Sequence, residues 1–249
     1  MSTNIFDSCA DRYEAVRPSY PDAAIEHVLA RTTGRCALEI GAGPGKATLA
    51  FARRGLEIVA LEPGPQLAAI LRERTNALPV DVVEMRFEDY QGRDFDLVYA
   101  AQAFHWIDPA GRYTHVADVL RAGGTFALLS NEKAPMDTAI RAELDAAYRQ
   151  HFGWEPWLDR IGDKQRTWVG EIEASGLFGP VAVERVPWQT TYSSDEYVSL
   201  LDTYSDHAAR PERHALYADV RAAIEHHGGR IVVPYETLVV IARVTRPSS

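Results

Sequence analysis

The sequence predicts an α/β protein whose parallel sheet is wound doubly, with helices on both faces. Three observations predict it. Short apolar, β-branched runs alternate with segments of helical period through the first 130 residues. The run from Cys36 to Ile40 enters a glycine-rich turn, Gly41-Ala42-Gly43-Pro44-Gly45, that opens a helix. A second run, residues 57–61, ends in Glu62-Pro63-Gly64 and is again followed by helical spacing. Buried strands separated by helices pair in parallel, because each crossover helix needs a sheet face to cover.

The elements follow in order. Residues 21–31 form the first expected helix, after a turn at Pro18-Ser19-Tyr20. Strand 36–40 leads to a helix over 46–54. Strand 57–61 precedes a helix over 66–75, where Leu67, Ile70 and Leu71 recur at helical spacing. Strands are expected over 80–85 and 95–100, a helix over 111–121, a turn at Gly123-Gly124 and a strand over 125–129. The later part differs. Residues 138–150 read as a helix and 151–168 as irregular and rich in aromatics. Residues 181–186 and 231–244 read as two final strands, with helices over 195–204 and 212–226 between them.

With 249 residues, 46% of them apolar and 24% charged, the chain can bury a full core. Its net charge of −9 argues against a large nucleic-acid surface, which needs a basic face. The two cysteines, Cys9 and Cys36, are far apart, which suits free thiols in a reducing compartment. Residues 1–11 show no charged-then-apolar leader, and no run reaches the ~18 apolar residues of a membrane span. A cytoplasmic protein without a membrane partner is expected.

The spacing of the glycine turn separates three cofactor classes. A phosphate-cradling loop needs G-x-x-x-x-G-K-[ST]. Gly45-Lys46 supplies the GK, but Ile40 falls on the first glycine and Ala47 on the hydroxyl. The dinucleotide pattern G-x-G-x-x-G/A fails at Lys46. What fits is Glu39-x-Gly41-x-Gly43-x-Gly45, an acid at the strand end before three alternate glycines.

At these residues the chain resembles the class I S-adenosylmethionine-dependent methyltransferases, whose first motif has this form. The resemblance implies a seven-stranded, Rossmann-like sheet with an antiparallel last strand; residues 181–186 and 231–244 suit the sixth and seventh places. It implies a cofactor-binding core over residues 1–135. The remainder, 136–249, completes the sheet and carries helical, aromatic cap insertions at about 137–178 and 192–229, the whole forming a single domain. The cofactor would be S-adenosylmethionine and the product S-adenosylhomocysteine, with a small-molecule methyl acceptor. This cofactor has no phosphate, so glycines that admit its methionine portion matter more than a phosphate-binding lysine.

The resemblance also implies a binding set. Glu39 would accept from the cofactor ammonium or from a bridging water, unless it merely caps the turn. Gly41, Ala42, Gly43 and Gly45 would lie against the methionine portion, and Glu62 with Pro63 would meet the ribose. An acid after the third strand, Glu88 or Asp89, would meet the adenine amino group, with an apolar neighbour on the ring. Asp96, before an apolar strand, matches the fourth motif. The run Ala101-Gln102-Ala103-Phe104-His105-Trp106-Ile107-Asp108 resembles the small-molecule branch that includes trans-aconitate methyltransferase-like proteins. In it Gln102 joins the binding set. Trp106 either packs on adenine or belongs to the core. The N-terminal Tyr13-Glu14-Ala15-Val16-Arg17-Pro18-Ser19-Tyr20-Pro21 resembles the same branch, placing Tyr13 and Arg17 near the cofactor unless the segment is only a turn.

His105 has a side chain suited by its ordinary pKa of ~6.5 to be a general base, although it can instead be structural or bind the cofactor. The eight histidines show no tight metal-ligand spacing; His226 and His227 are adjacent and would face different ways on a helix, so no metal is expected. Trp154, Trp157, Trp168, Tyr192, Tyr204, Asp206, His207 and Arg210 are aromatic or polar enough to line an acceptor pocket, but each is as well explained by packing. The expected reaction is direct methyl transfer to an acceptor oxygen, in which alignment of the reacting atoms supplies most of the rate. Two other classes compete. A non-catalytic S-adenosylmethionine-binding protein would carry the same motifs. A nicotinamide-dependent reductase is opposed by Lys46 and by the absence of Tyr four residues before any of the three lysines.

Overall fold

The computed structural model describes residues 17–136, 139–154 and 160–245. In chain order the elements are α1 (Asp22–Leu29), β1 (Cys36–Ile40), α2 (Lys46–Ala52), β2 (Glu57–Leu61), α3 (Pro65–Thr75), β3 (Val80–Val83), β4 (Phe95–Ala101), α4 (Arg112–Val119) and β5 (Leu120–Lys133). There follow α5 (Ala139–Phe152), α6 (Arg160–Ser175), β6 (Ala182–Ser193), α7 (Ser194–Asp202), α8 (Ser205–Ala208), α9 (Arg213–His226) and β7 (Arg230–Arg243). Single 3₁₀ turns span Phe87–Asp89 and Phe104–Trp106.

The seven strands form one sheet in the order β3-β2-β1-β4-β5-β7-β6. Pairing of β1 with β2 and β4, of β2 with β3, and of β4 with β5 is parallel. β7 runs antiparallel to β5: Val244 N–H donates to Gly124 O at one end and Ala134 N–H to Pro234 O at the other. Strand order reverses between β1 and β4, so the crevice at their carboxyl ends is where open α/β sheets bind ligands.

The chain divides into two compact units. The first comprises Ser19–Glu132, Ile161–Val186 and Thr237–Ser249. Its strands are apolar on both faces, and the two-residue period sorts them. Ala37, Leu97, Tyr99, Ala127, Leu129, Val239 and Ile241 cluster with Ala24, Ile25 and Val28 of α1 and Phe51 of α2. Leu38, Ile40, Val98, Ala100, Phe126, Leu128, Leu238 and Val240 cluster with Val116 of α4 and Trp168 and Ile172 of α6. Residues 161–175 therefore belong to the sheet's own layers, whereas a cap insertion running to 178 is expected from the sequence.

The second unit comprises Met1–Pro18, Lys133–Arg160 and Pro187–Glu236, including the far ends of β5, β6 and β7. α5 and α9 pack together, and α9 packs on α7. Their core holds Tyr148, Tyr192, Tyr197, Tyr217 and Tyr235 among aliphatic side chains. α7 begins at a capping box in which Ser193 Oγ accepts from Glu196 N–H while Glu196 accepts from Ser193 N–H.

Three expectations shift. α4 ends at Val119 because Leu120 already pairs with Phe95, and a register shift carries the strand through Gly123-Gly124. α6 replaces much of the irregular stretch 151–168, and the short α8 lies between α7 and α9. Among the described residues no helix is long and apolar enough to cross a membrane.

Candidate functional site

The site is assembled at the carboxyl ends of β2, β1 and β4, neighbours in the sheet. β1 leaves the sheet at Gly41, whose φ of 66° lies in the left-handed region. A Cβ there would fall 2.6 Å from Ala103 Cβ, so glycine lets the turn pass the loop after β4. Gly45, at φ 95°, caps α2 from the same region. Ala42 N–H donates to Leu61 O and Gly45 N–H to Ala42 O, which close the turn onto β2. Among the described residues a Cβ at Gly43 would meet no atom within 4 Å.

Glu62 follows the last residue of β2 and is 4% exposed. Its Oε2 accepts from Gly43 N–H at 2.8 Å and its Oε1 from Gly64 N–H at 2.8 Å. The carboxylate thus fixes the glycine turn against the start of α3. Pro63 beside it is exposed.

Glu39, one strand over, is buried. Its Oε2 accepts from Thr48 Oγ1 at 2.6 Å and Tyr99 OH at 2.8 Å, tying β1 to α2 and β4. Burial pushes its carboxyl up to about 8; the two hydroxyls work against that and the charge of Glu62 adds to it. The partners that the structure gives Glu39 are internal ones.

The acids after β3 separate. Glu88 accepts from Arg86 at 2.9 Å and from Asp108 N–H at 3.3 Å. Burial raises its pKa, but Arg86 and the backbone N–H groups outweigh this and hold it below the usual range. Asp89 is exposed. Phe87, just before them, is buried and stacks on His115 at 4.3 Å. Asp96 lies at the opposite, amino end of β4, where it accepts from Cys36 N–H and pairs with Arg121.

After β4 the chain turns sharply at Gln102, whose φ of 59° is rare for a side-chain-bearing residue. Three hydrogen bonds hold it there. Its N–H donates to Leu129 O, its Nε2 to Asn131 O, and its Oε1 accepts from Ser130 Oγ. The 3₁₀ turn that follows buries Phe104 and leaves His105 and Trp106 exposed, their ring centroids 4.9 Å apart. Trp106 is 59% exposed, which removes the core alternative for it.

A charged group surrounds this turn that the sequence did not announce. Lys164 of α6 pairs with Glu132 and donates to Ser130 Oγ at 2.9 Å. Buried Arg112 donates to Phe104 O at 3.2 Å and pairs with Glu171 of α6 at 2.5 Å. Partial burial lowers the His105 pKa, Lys164 and Arg112 lower it further, and Glu132 opposes them. The imidazole is therefore neutral near pH 7. The available signal was the rarity of lysine, three in the chain, with Lys164 between apolar Ile161 and Trp168.

Arg17 belongs to the second unit. Its Nε donates to Thr203 Oγ1 and its Nη2 to Thr203 O, both at 2.8 Å, and its guanidinium lies 4.3 Å from the Tyr204 ring centroid. Tyr13 and Trp157 lie outside the described residues. His207, considered for a pocket, is buried with Tyr148 OH and Tyr217 OH each 3.4 Å from a ring nitrogen.

Sheet order, glycine turn and the acid ending β2 together define a Rossmann-like methyltransferase fold. Residues 38–128 match the family described as the methyltransferase domain. It is 40% identical over 131 residues to an uncharacterised methyltransferase of Mycobacterium tuberculosis, covering 51% of this chain and 52% of that protein. The match thus spans about half of each. A protein of Anaeromyxobacter dehalogenans described as a type II methyltransferase shares the fold at a TM-score of 0.69, 22% identity, 92% of this chain and 98% of that one. Haemonchus contortus phosphoethanolamine N-methyltransferase 2, in complex with phosphomonomethylethanolamine and S-adenosylhomocysteine, shares it at a TM-score of 0.55, 14% identity, 98% of this chain and 58% of that one.

Proposed function

We propose that the protein is an S-adenosylmethionine-dependent methyltransferase that acts on a small-molecule acceptor at oxygen, either a hydroxyl or a carboxylate. The observation that carries the proposal is Glu62: a carboxylate at the end of β2, fixed by the glycine turn at the point where strand order reverses. The residues fit the cofactor. Among the described residues nothing lies within 4 Å of a Cβ placed at Gly43, which suits a methionine portion lying on backbone. Glu62, a carboxylate held at the glycine turn, is the group proposed for the ribose diol, and no phosphate-binding group is needed. Asp89 and Trp106, both exposed, are the groups proposed for adenine. When bound, the cofactor supplies a positively charged sulfur whose methyl group is the electrophile. This chain then aligns the acceptor and, for a hydroxyl, removes its proton at a ring nitrogen of neutral His105. A carboxylate acceptor needs no base. The net charge of −9 supports a small acceptor over nucleic acid, and free Cys36 supports a cytoplasmic setting.

The test is thermal unfolding with S-adenosylmethionine, S-adenosylhomocysteine and NADPH in parallel. A ligand at ~100 times its Kd adds about 2.7 kcal/mol, or roughly 5–10 °C at this size. Shifts with the first two alone are expected; a shift with NADPH alone sinks the proposal. Release of S-adenosylhomocysteine with a panel of hydroxyl and carboxylate acceptors then separates an enzyme from a binding protein.

A further inference from the structure

His226 and His227 are adjacent, and consecutive helical residues point about 100° apart. The structure escapes that divergence. α9 ends at His226, and His227 is its C-cap with φ −97° and ψ 23°, outside helical geometry. Gly229 N–H closes the end by donating to Ile224 O at 2.9 Å. Both rings then turn toward one carboxylate, that of Glu143 on α5. His226 Nδ1 lies 3.2 Å and His227 Nε2 2.8 Å from Glu143 Oε1.

We propose that Glu143, His226 and His227 bind one divalent transition-metal ion of the borderline class, with zinc as the type case. One ligand atom from each residue lies within 4.8 Å of the others. Bonds of about 2.0–2.1 Å in a tetrahedral site place ligand atoms about 3.3–3.4 Å apart. The separations of 3.2 and 2.8 Å to Glu143 Oε1 need to open by only a few tenths of an ångström or so. The side chains can give that much: His226 is 74% exposed and Glu143 41% exposed. Two imidazoles and one carboxylate suit zinc, nickel or copper(II) and disfavour calcium and magnesium, which take oxygen ligands. The ion would also sit at the carboxyl end of the 14-residue α9, where the helix dipole favours positive charge. Water would complete the coordination, and the ion would join α5 to α9 within the second unit.

Zinc chloride titrated calorimetrically into the untagged full chain tests this, with cobalt(II) absorption in the visible as the report on coordination. One ion per chain is expected, with a cobalt spectrum of tetrahedral type. The double variant His226→Ala, His227→Ala should lose both signals, and the near-isosteric Glu143→Gln should weaken binding severalfold. His151 offers the control, because it pairs with Asp219 across the same two helices at 2.7 Å. His151→Gln should bind the ion as the parent does. The inference is overturned if the parent binds no ion, if the double variant binds as tightly as the parent, or if His151→Gln is the change that removes binding.

Discussion

Glu39 and Glu62 carry the same side chain in two environments, and their environments give them different work. Glu39 is buried, and that burial outweighs the two hydroxyls that donate to it, so its folded pKa of about 8 stands above the ordinary 4.5. A raised folded pKa favours the folded state fully below about pH 4.5. That advantage fades as pH rises to about 8, because the unfolded chain gives up the proton first. Glu39→Gln should flatten the fall in stability across this window in pH-dependent urea unfolding; an unchanged slope means that another group titrates there. Glu62 is held by two backbone N–H groups and is proposed to accept from ribose. Hydrogen bonds to a charged group contribute about 1.5–3 kcal/mol, so Glu62→Ala should weaken S-adenosylhomocysteine binding about tenfold or more. Unchanged affinity by calorimetry removes Glu62 from the site. His105 has its pKa lowered below 6.5. As a base it would be fully neutral at pH 7, and the rate would fall only as pH drops through that lowered value. An acid limb above pH 6.5, or equal turnover in His105→Ala on a hydroxyl acceptor, rejects it as the base. Glycine spacing and strand-end acids are local and were legible in the sequence. The partners of Glu39 were not, because Tyr99 stands 60 residues away.

At the scale of elements, legibility followed burial on both faces. β1 and β2 are continuous apolar runs bounded by glycine turns, and the structure has them at residues 36–40 and 57–61, as expected. α6 escaped notice because Gly162 and Gly170 lower helix propensity and its buried Ile161, Trp168 and Ile172 are diluted by charge. With it went Lys164 and Glu171, which set the electrostatics around His105 and Arg112. The turn between β1 and α2 is also the element whose geometry is least forgiving. Gly41→Ala puts a Cβ 2.6 Å from Ala103 at a φ of 66°, so either the turn or the loop bearing Gln102 and His105 must move. The expected result is loss of S-adenosylhomocysteine affinity with the far-ultraviolet circular dichroism retained. Full affinity in Gly41→Ala shows that the loop yields without consequence for the site.

For the whole molecule, the matched domain ends at residue 128, yet the fold does not. The sequence suggests a core over residues 1–135, but the sheet order sets β7 between β5 and β6, so β5 is an interior strand completed from the far end of the chain. Ile172, Leu238, Val239 and Val240 are fully buried, and Trp168 and Ile241 nearly so. Burial of each such side chain is worth about 1.5–3 kcal/mol. The loss of six approaches or exceeds the ~5–15 kcal/mol by which a whole domain is stable. Removing them also leaves β5, apolar on both faces, as an open edge, which invites pairing between chains. A fragment of residues 1–135 should therefore show no cooperative unfolding transition and should associate, whereas the full chain melts cooperatively. Differential scanning calorimetry with size-exclusion chromatography decides the matter. A monomeric fragment with a sharp transition, raised by S-adenosylhomocysteine, would mean that the first four strands and β5 suffice, and that the late strands serve something other than the integrity of the sheet.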